Sequence, residues 1–319
     1  YIVEQLLARG DQVRAFGRSD YPEMRDLGAE LVRGDIRKPA DVSEAVAGVD
    51  AVFHTAAIAG IGGRWQDFFE INTQGTQHVI DACRQHGVPK LVYTSSPSVT
   101  FAGDDQCGVD ESAPYPSRWL AHYPHSKALG EQRVLAANGN LGLATCALRP
   151  HLIWGPRDAH LIPRLIDRAR KRQLRIVGAG DNLVDMVYVE NAATAHLQAC
   201  DRLTPDSPVA GKAYFISQGQ PVNCWEWINQ ILALADLPPL TRAIPFQAAY
   251  AIGAVLEGIY WVLRREDEPR MTRFLAAQLA TSHYFDISAA RQDFGFEPQV
   301  STEQGMRRLA EALAEHTHA

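Results

Sequence analysis

The chain has 319 residues, 46% hydrophobic and 21% charged, a globular composition with enough apolar mass for a large core. A net charge of −6 argues against nucleic acid as a partner, because a phosphate-tracking surface needs an excess of Lys and Arg. Five scattered cysteines (Cys83, Cys107, Cys146, Cys200 and Cys224), never in a C-x-x-C pair, disfavour a disulfide scaffold or a zinc site and suit a cytoplasmic protein.

At the N-terminus, Ile2, Val3, Leu6 and Leu7 give one apolar face, predicting a helix over Tyr1–Arg9 that stops at Gly10. Gln12–Phe16 then alternates as a strand. Helix, glycine turn and strand form the second half of a β-α-β unit. The first strand and its glycine-rich turn are expected to precede Tyr1, in about 10–15 residues. Strands follow at Ala29–Gly34, Asp50–His54 and Lys90–Thr94, with helices at Pro39–Ala47 and Phe68–Gln85. This alternation predicts an α/β fold, a Rossmann-type doubly wound parallel sheet.

A helix carrying Tyr123 and Lys127 runs to about Ala137, and a strand over Gly142–Leu148 closes at Arg149-Pro150. Residues 1–155 read as the dinucleotide-type domain. Beyond Trp154 the regularity breaks. Helices at Leu161–Lys171 and Cys224–Ala235 interleave with short strands at Leu174–Val177 and Ala213–Ser217. Residues 156–319 therefore read mainly as a smaller substrate-covering lobe, with some segments returning to the first domain.

Tyr123 and Lys127 lie four residues apart and share one helix face. A lysine beside a phenol lowers its pKa, so the tyrosine can exchange a proton near neutral pH. By count such a pair is an ordinary coincidence. Its setting makes it specific: Thr94-Ser95-Ser96 closes a strand ahead of it, where a hydroxyl can meet a substrate carbonyl. His122 and His125 flank the tyrosine without metal-ligand spacing, and no metal site is expected.

These residues resemble the extended short-chain dehydrogenase/reductase superfamily, in its 3β-hydroxysteroid dehydrogenase-like branch. Asp35-Ile36 is similar to the family's adenine contact, Thr55-Ala56-Ala57 to its cofactor wall, and Asn72 to its helix asparagine. Tyr93–Val99 resembles its active-site strand, with the catalytic hydroxyl at Ser96. Leu148-Arg149-Pro150 and Trp154-Gly155-Pro156 resemble its nicotinamide-side strand and turn. Within the branch, residues 149–156, 214–217 and 281–285 are similar to bacterial reductases acting on 2-alkyl-3-oxoalkanoates. The resemblance implies a catalytic set of Ser96, Tyr123 and Lys127, with Tyr123 donating a proton and Ser96 polarising the carbonyl. Lys127 would bind the nicotinamide ribose and keep the phenol acidic. Pro150 and His151 would join the cofactor contacts.

An acidic residue at the end of the second strand binds the ribose of NAD, whereas an Arg accommodates the phosphate of NADP. Here Phe16-Gly17-Arg18-Ser19 presents Arg18, which favours NADP over NAD. Sugar-nucleotide epimerases share the Tyr/Lys pair but carry an Arg before an Asp in the second lobe. The equivalent position, Val184 before Asp185, cannot bind phosphate, which favours a small apolar keto or hydroxy substrate. Ser98, His151, Trp154 and His160 are candidate substrate contacts, the histidines as anchors for a carboxylate. Residues 244–263 carry one charge, Glu257, beside Arg264 and Arg265. They suit a helix on a membrane surface or lining a lipid-sized pocket, with a buried packing helix as the alternative. The run Arg168–Arg172 reads as a solvated helix face. A homodimer is a further expectation. A 3β-hydroxysteroid dehydrogenase and an NADP-sensing regulator on the same fold stay open.

Overall fold

The computed structural model describes residues 1–265 and 267–318. Its centre is a four-stranded parallel sheet in the order Ala213–Ile216, Ala144–Pro150, Lys90–Thr94, Ala51–His54. A separate parallel pair joins Arg14–Gly17 to Glu30–Arg33. Among the described residues no backbone ladder links that pair to Ala51–His54.

Alternation along Lys90–Thr94 shows how the layers form. Leu91 and Tyr93 point to one core with Val79, Ile80 and Val134, while Val92 points to another with Ala195, Ala199 and Phe215. Successive side chains of a strand face opposite sides, so a strand covered on both faces is apolar throughout. The helices Gly75–His86 and His122–Ala136 cover the first face. The helix Val189–Arg202, which the sequence reading left unassigned, covers the second from beyond residue 156. The strand Ala213–Ile216 likewise returns to the main sheet from the second half of the chain.

The predicted helix over Phe68–Gln85 is not continuous. It runs as Trp65–Phe68, a π-helical turn over Phe69–Gln74, and then Gly75–His86. Such widened turns are rare and concentrate at functional sites. The Thr76 hydroxyl donates to the Asn72 carbonyl (2.7 Å) within this stretch.

A second, mixed sheet orders Val222–Asn223, Leu183–Val184, His283–Phe285 and Gln106–Val109. It lies over the carboxyl ends of the main strands, with His283 in register with both Gln106 and Val184. The core of the second lobe gathers Trp154, Tyr188, Trp225 and Trp227. The helix Phe246–Val262 is not a buried packing helix: of its residues only Ala249 and Gly253 are buried. Val255, Trp261 and Val262 are exposed. No helix among the described residues is long and apolar enough to cross a membrane.

The His122–Ala136 helix approaches its neighbours closely at Gly130, where an added Cβ would lie 2.8 Å from the Asn72 carbonyl oxygen and 2.6 Å from the Tyr93 hydroxyl. Because one of those atoms is backbone, the contact cannot be relieved by a rotamer change. Gly130→Ala is expected to destabilise the fold by ~1–3 kcal/mol, as overpacking does. Urea denaturation measures this, and an unchanged midpoint would refute the close approach.

Candidate active site

The three proposed catalytic residues converge at the carboxyl end of Lys90–Thr94. Ser96 follows that strand in extended backbone and caps the short turn Pro97–Thr100, its Oγ accepting from the Ser98 N–H (3.2 Å). The Ser96 and Ser98 hydroxyls are 2.8 Å apart, so Ser98 orients the Ser96 hydroxyl. Ser96 and Tyr123 line the same cavity. Burial pushes the Tyr123 phenol above its ordinary range, and the neighbouring Ser96 hydroxyl offsets only part of the rise.

Lys127 is fully buried, and its Nζ donates to the Thr94 carbonyl (2.6 Å) while lying 4.0 Å from the centre of the Tyr93 ring. Burial lowers its pKa to about 7, with Glu131 opposing the shift. The sequence reading had the lysine lowering the phenol's pKa. The structure corrects this: the ammonium is engaged with Thr94 and Tyr93, and burial dominates the phenol.

Asn72 is wholly buried and satisfied. Its Oδ1 accepts from the Ile58 N–H (2.8 Å), and its Nδ2 donates to the Ile58 carbonyl (3.0 Å) and to Ser126 Oγ (3.0 Å). Ser126 Oγ in turn donates to the Tyr123 carbonyl (2.9 Å). One side chain thus ties the segment after Thr55-Ala56-Ala57 to the first turn of the catalytic helix. Thr55, Ala56 and Ala57 themselves are exposed at the strand end, a wall of small side chains.

Beneath the site, Arg149 and Glu131 form a bidentate buried ion pair (2.6 and 3.0 Å), and the Tyr115 hydroxyl donates to the same carboxylate (2.6 Å). The sequence reading did not single out Glu131. Its spacing of four from Lys127 was the available signal.

On the separate parallel pair, Arg18 is exposed just beyond Arg14–Gly17. Asp35 is gripped by Arg37 (2.5 and 3.0 Å), which holds its carboxyl down at about 2. The Ile36 side chain is buried against Gly75, so the structure makes it core and leaves Asp35 as the reachable half of that pair.

A cavity of about 180 Å³ opens beside Ser96 and Tyr123. Ser98, Pro150 and His151 line it, with Phe101, Phe274 and Phe285 as apolar walls. His283 and Gln278 also line it, and neither was named as a site residue from sequence. Trp154 and His160 are corrections. Trp154 is fully buried against Tyr188 and Trp227, and His160 is exposed at the start of the helix Leu161–Arg170. Among the described residues no cluster of His, Cys, Asp or Glu could hold a metal ion.

A model of the 3-beta hydroxysteroid dehydrogenase/isomerase family matches residues 1–245. The chain belongs to that family. It is similar to the 2-alkyl-3-oxoalkanoate reductase of Stenotrophomonas maltophilia, 51% identical over 97% of this chain and 94% of the relative. It is also similar to the decarboxylating sterol-4-alpha-carboxylate 3-dehydrogenase of Mus musculus, 34% identical over 98% of this chain and 87% of that one. Among solved structures, MoeE5 in complex with UDP-glucuronic acid and NAD superposes with a TM-score of 0.73 at 25% identity, covering 99% of this chain and 95% of that one. As a member of this family the chain is an oxidoreductase, and Ser96, Tyr123 and Lys127 are its candidate catalytic set.

Lys127 gives a pH test. Its pKa is about 7 in the fold against 10.5 unfolded, so the unfolded chain holds more protons between those values. Stability on this account falls as pH drops from 10.5 towards 7, and the cost is complete below 7. Lys127→Met is expected to be more stable than the parent at pH 6, with the advantage shrinking as pH rises towards 10.5. Urea denaturation across that range measures it, and a pH-independent difference would refute the buried charge.

Proposed function

We propose that the chain is an NAD(P)H-dependent reductase interconverting a ketone and a secondary alcohol on an apolar, lipid-like substrate, a 2-alkyl-3-oxoalkanoate. The observation that carries this reading is the Ser96–Tyr123 pair opening into a pocket with aromatic walls and no Lys or Arg in its lining. The Val184 position, where an epimerase would present an arginine, is buried in the second sheet. The names of the Stenotrophomonas and mouse relatives both describe a carboxylate near the reacting carbon, which supports a 3-oxo acid.

The residues present fit a nicotinamide dinucleotide. Thr55-Ala56-Ala57 forms an exposed, small-residue wall, and Asp35 and Arg18, which follow the strands Glu30–Arg33 and Arg14–Gly17, would meet the adenosine half. Lys127 spends one donor on Thr94, leaving others for ribose hydroxyls when it is charged. When bound, the cofactor supplies the hydride. Tyr123, neutral through the physiological range, donates the proton to the developing alkoxide. Ser96 holds the carbonyl oxygen, and the aromatic walls exclude water, so these hydrogen bonds act at low dielectric. Arg18 supports a preference for NADP.

The cavity is smaller than the roughly 300–1,000 Å³ of a typical ligand cleft, so it takes the reacting end of a substrate and leaves alkyl tails outside. The Phe246–Val262 helix packs on the helix Arg273–Ala280, which supplies Phe274 and Gln278 to the pocket wall. Its exposed apolar stripe, ending in Trp261 and Arg264, supports contact with an anionic bilayer surface next to that opening.

NADPH and NADH oxidation against a 2-alkyl-3-oxo acid, a 3-ketosteroid and a UDP-sugar tests the reaction. The acid is expected to be preferred, and NADPH to exceed NADH. Tyr123→Phe should reduce turnover by ~10²–10⁴-fold with thermal unfolding unchanged, and Ser96→Ala by ~10²–10³-fold with a stability loss of only about 0.5–2 kcal/mol from the lost turn cap. Full turnover by a folded Tyr123→Phe protein would sink the mechanism. For the lipid surface, vesicles containing anionic phospholipid should co-sediment the parent, and Val255→Asp should stay in the supernatant. Equal sedimentation of both refutes that contact.

A further inference from the structure

Ketone reduction leaves one polar feature of the pocket unused. His151 and His283 both line the cavity, both are buried, and their rings share a hydrogen bond of 3.1 Å between His151 Nε2 and His283 Nδ1. The proton positions follow from the neighbours. His283 Nε2 lies 2.8 Å from the Gln278 carbonyl, which can only accept, so that nitrogen carries hydrogen. In a neutral ring His283 Nδ1 is then an acceptor, and His151 Nε2–H donates to it. His151 Nδ1 is left without hydrogen; it is enclosed and makes no hydrogen bond, with the Asp185 backbone as a polar neighbour of the ring. A proton added to the pair therefore has one vacant nitrogen to occupy.

We infer that the His151–His283 pair is the carboxylate-recognising element of the pocket, binding one proton from solvent as an acidic substrate enters. This rests on the 3-oxo acid reading above. A carboxylate attached beside the reacting carbon must lie within a few bonds of Ser96 and Tyr123. The lining offers it no Lys or Arg, and these two rings are its only groups able to become cationic while Tyr123 gives up its proton to the alkoxide. An uncompensated buried carboxylate would be costly. One imidazolium beside it neutralises the charge, and a neutral substrate gains nothing from forming it.

The groups around the pair do not already provide that charge. Burial and the neighbouring imidazole hold His151 neutral against a smaller opposing effect of the Asp185 backbone, and burial holds His283 neutral against the Gln278 carbonyl and the charge of Asp105. From the adjoining second-sheet segment, Asp185 N–H donates to the His283 carbonyl (3.2 Å). The Asp185 carboxyl is raised to about 6 by burial and accepts from Ser217 (2.5 Å). From the segment before Gln106–Val109, Asp105 accepts from the Ser282 N–H (2.8 Å). On the helix carrying Gln278, Arg273 is paired with Glu257 (2.7 Å). On the catalytic helix, Tyr123 is neutral and Lys127 donates to Thr94.

The test compares a 2-alkyl-3-oxo acid with its methyl ester. Calorimetric titration of the holoenzyme with the corresponding 3-hydroxy acid, in buffers of different ionisation enthalpy, should show uptake of about one proton, and the hydroxy ester about none. His283→Gln and His151→Gln should each lower the acid-to-ester ratio of kcat/KM by roughly 30-fold or more, chiefly through KM for the acid. Measurable ester turnover shows that a variant is folded. If neither variant folds, proton uptake by the parent decides alone. Absent uptake, or equal losses on acid and ester, would overturn the inference while leaving the reductase reading intact. Failure of the parent to reduce either compound would overturn both.

Discussion

The active site depends on how the His122–Ala136 helix is fixed to the sheet through polar groups in a dry interface. Three neighbouring positions on that helix each make a directional bond to a different element. Lys127 reaches the Thr94 carbonyl at a strand end. Ser126 meets Asn72 on the widened turn of the preceding helix. Glu131 takes both arms of Arg149 on the next strand. Apolar packing would let the helix rotate or slide by fractions of an ångström at little cost. Bonds to three elements fix its rotation and height, and hence where the Tyr123 hydroxyl stands against Ser96. The arrangement makes demands on the backbone around it. Gly130 has no side chain because Asn72 and Tyr93 occupy the space, and Gly75 has none because Ile36 does.

Much of this was legible in the sequence, for definite reasons. The strands at Ala51–His54 and Lys90–Thr94, the first partly buried and the second buried at its centre, read as short apolar runs bounded by polar residues. The helix of Tyr123 and Lys127 has the right spacing, and Ser96 has the right place at a strand end. What escaped is what periodicity does not encode. The π turn at Phe69–Gln74 keeps the apolar pattern of an ordinary helix. Only its partners (Ile58, Ser126 and the catalytic helix) show why the backbone widens there. The helix Val189–Arg202 is rich in alanine and went unassigned, because alanine marks neither a core face nor a surface. Trp154 was read as a substrate contact from its motif, yet its bulk fills the second core.

The second lobe shows a different limit. Its sheet is made of strands two to four residues long, too short for alternation to be read, and they come from four distant parts of the chain. Long-range pairing of this kind leaves almost no local trace. It is what brings His283 over the carboxyl ends of the main strands, beside a histidine from the strand-end motif more than a hundred residues earlier. The candidate carboxylate site thus needs both lobes, whereas the Ser96–Tyr123–Lys127 set is complete within the first.

One physical cause runs through the whole site. Burial raises the Tyr123 phenol, lowers Lys127 to about 7, and depresses His54, His151 and His283. Each shift favours the uncharged form, so the phenol and two imidazoles that line the pocket are electrically silent at rest, with the part-protonated Lys127 lying outside the lining. Charge then arises only with its compensation. On the proposed mechanism the alkoxide forms where Tyr123 can protonate it, and on the proposed carboxylate site an imidazolium forms where a carboxylate can face it. A pre-charged pocket would bind acids without regard to what lies beyond the carboxylate. A silent one, walled by Phe101, Phe274 and Phe285, makes affinity depend on an acid whose remaining surface is apolar. On the proposed reading, the same dryness that holds the Tyr123 helix in register is what would let this pocket select a lipid-like acid.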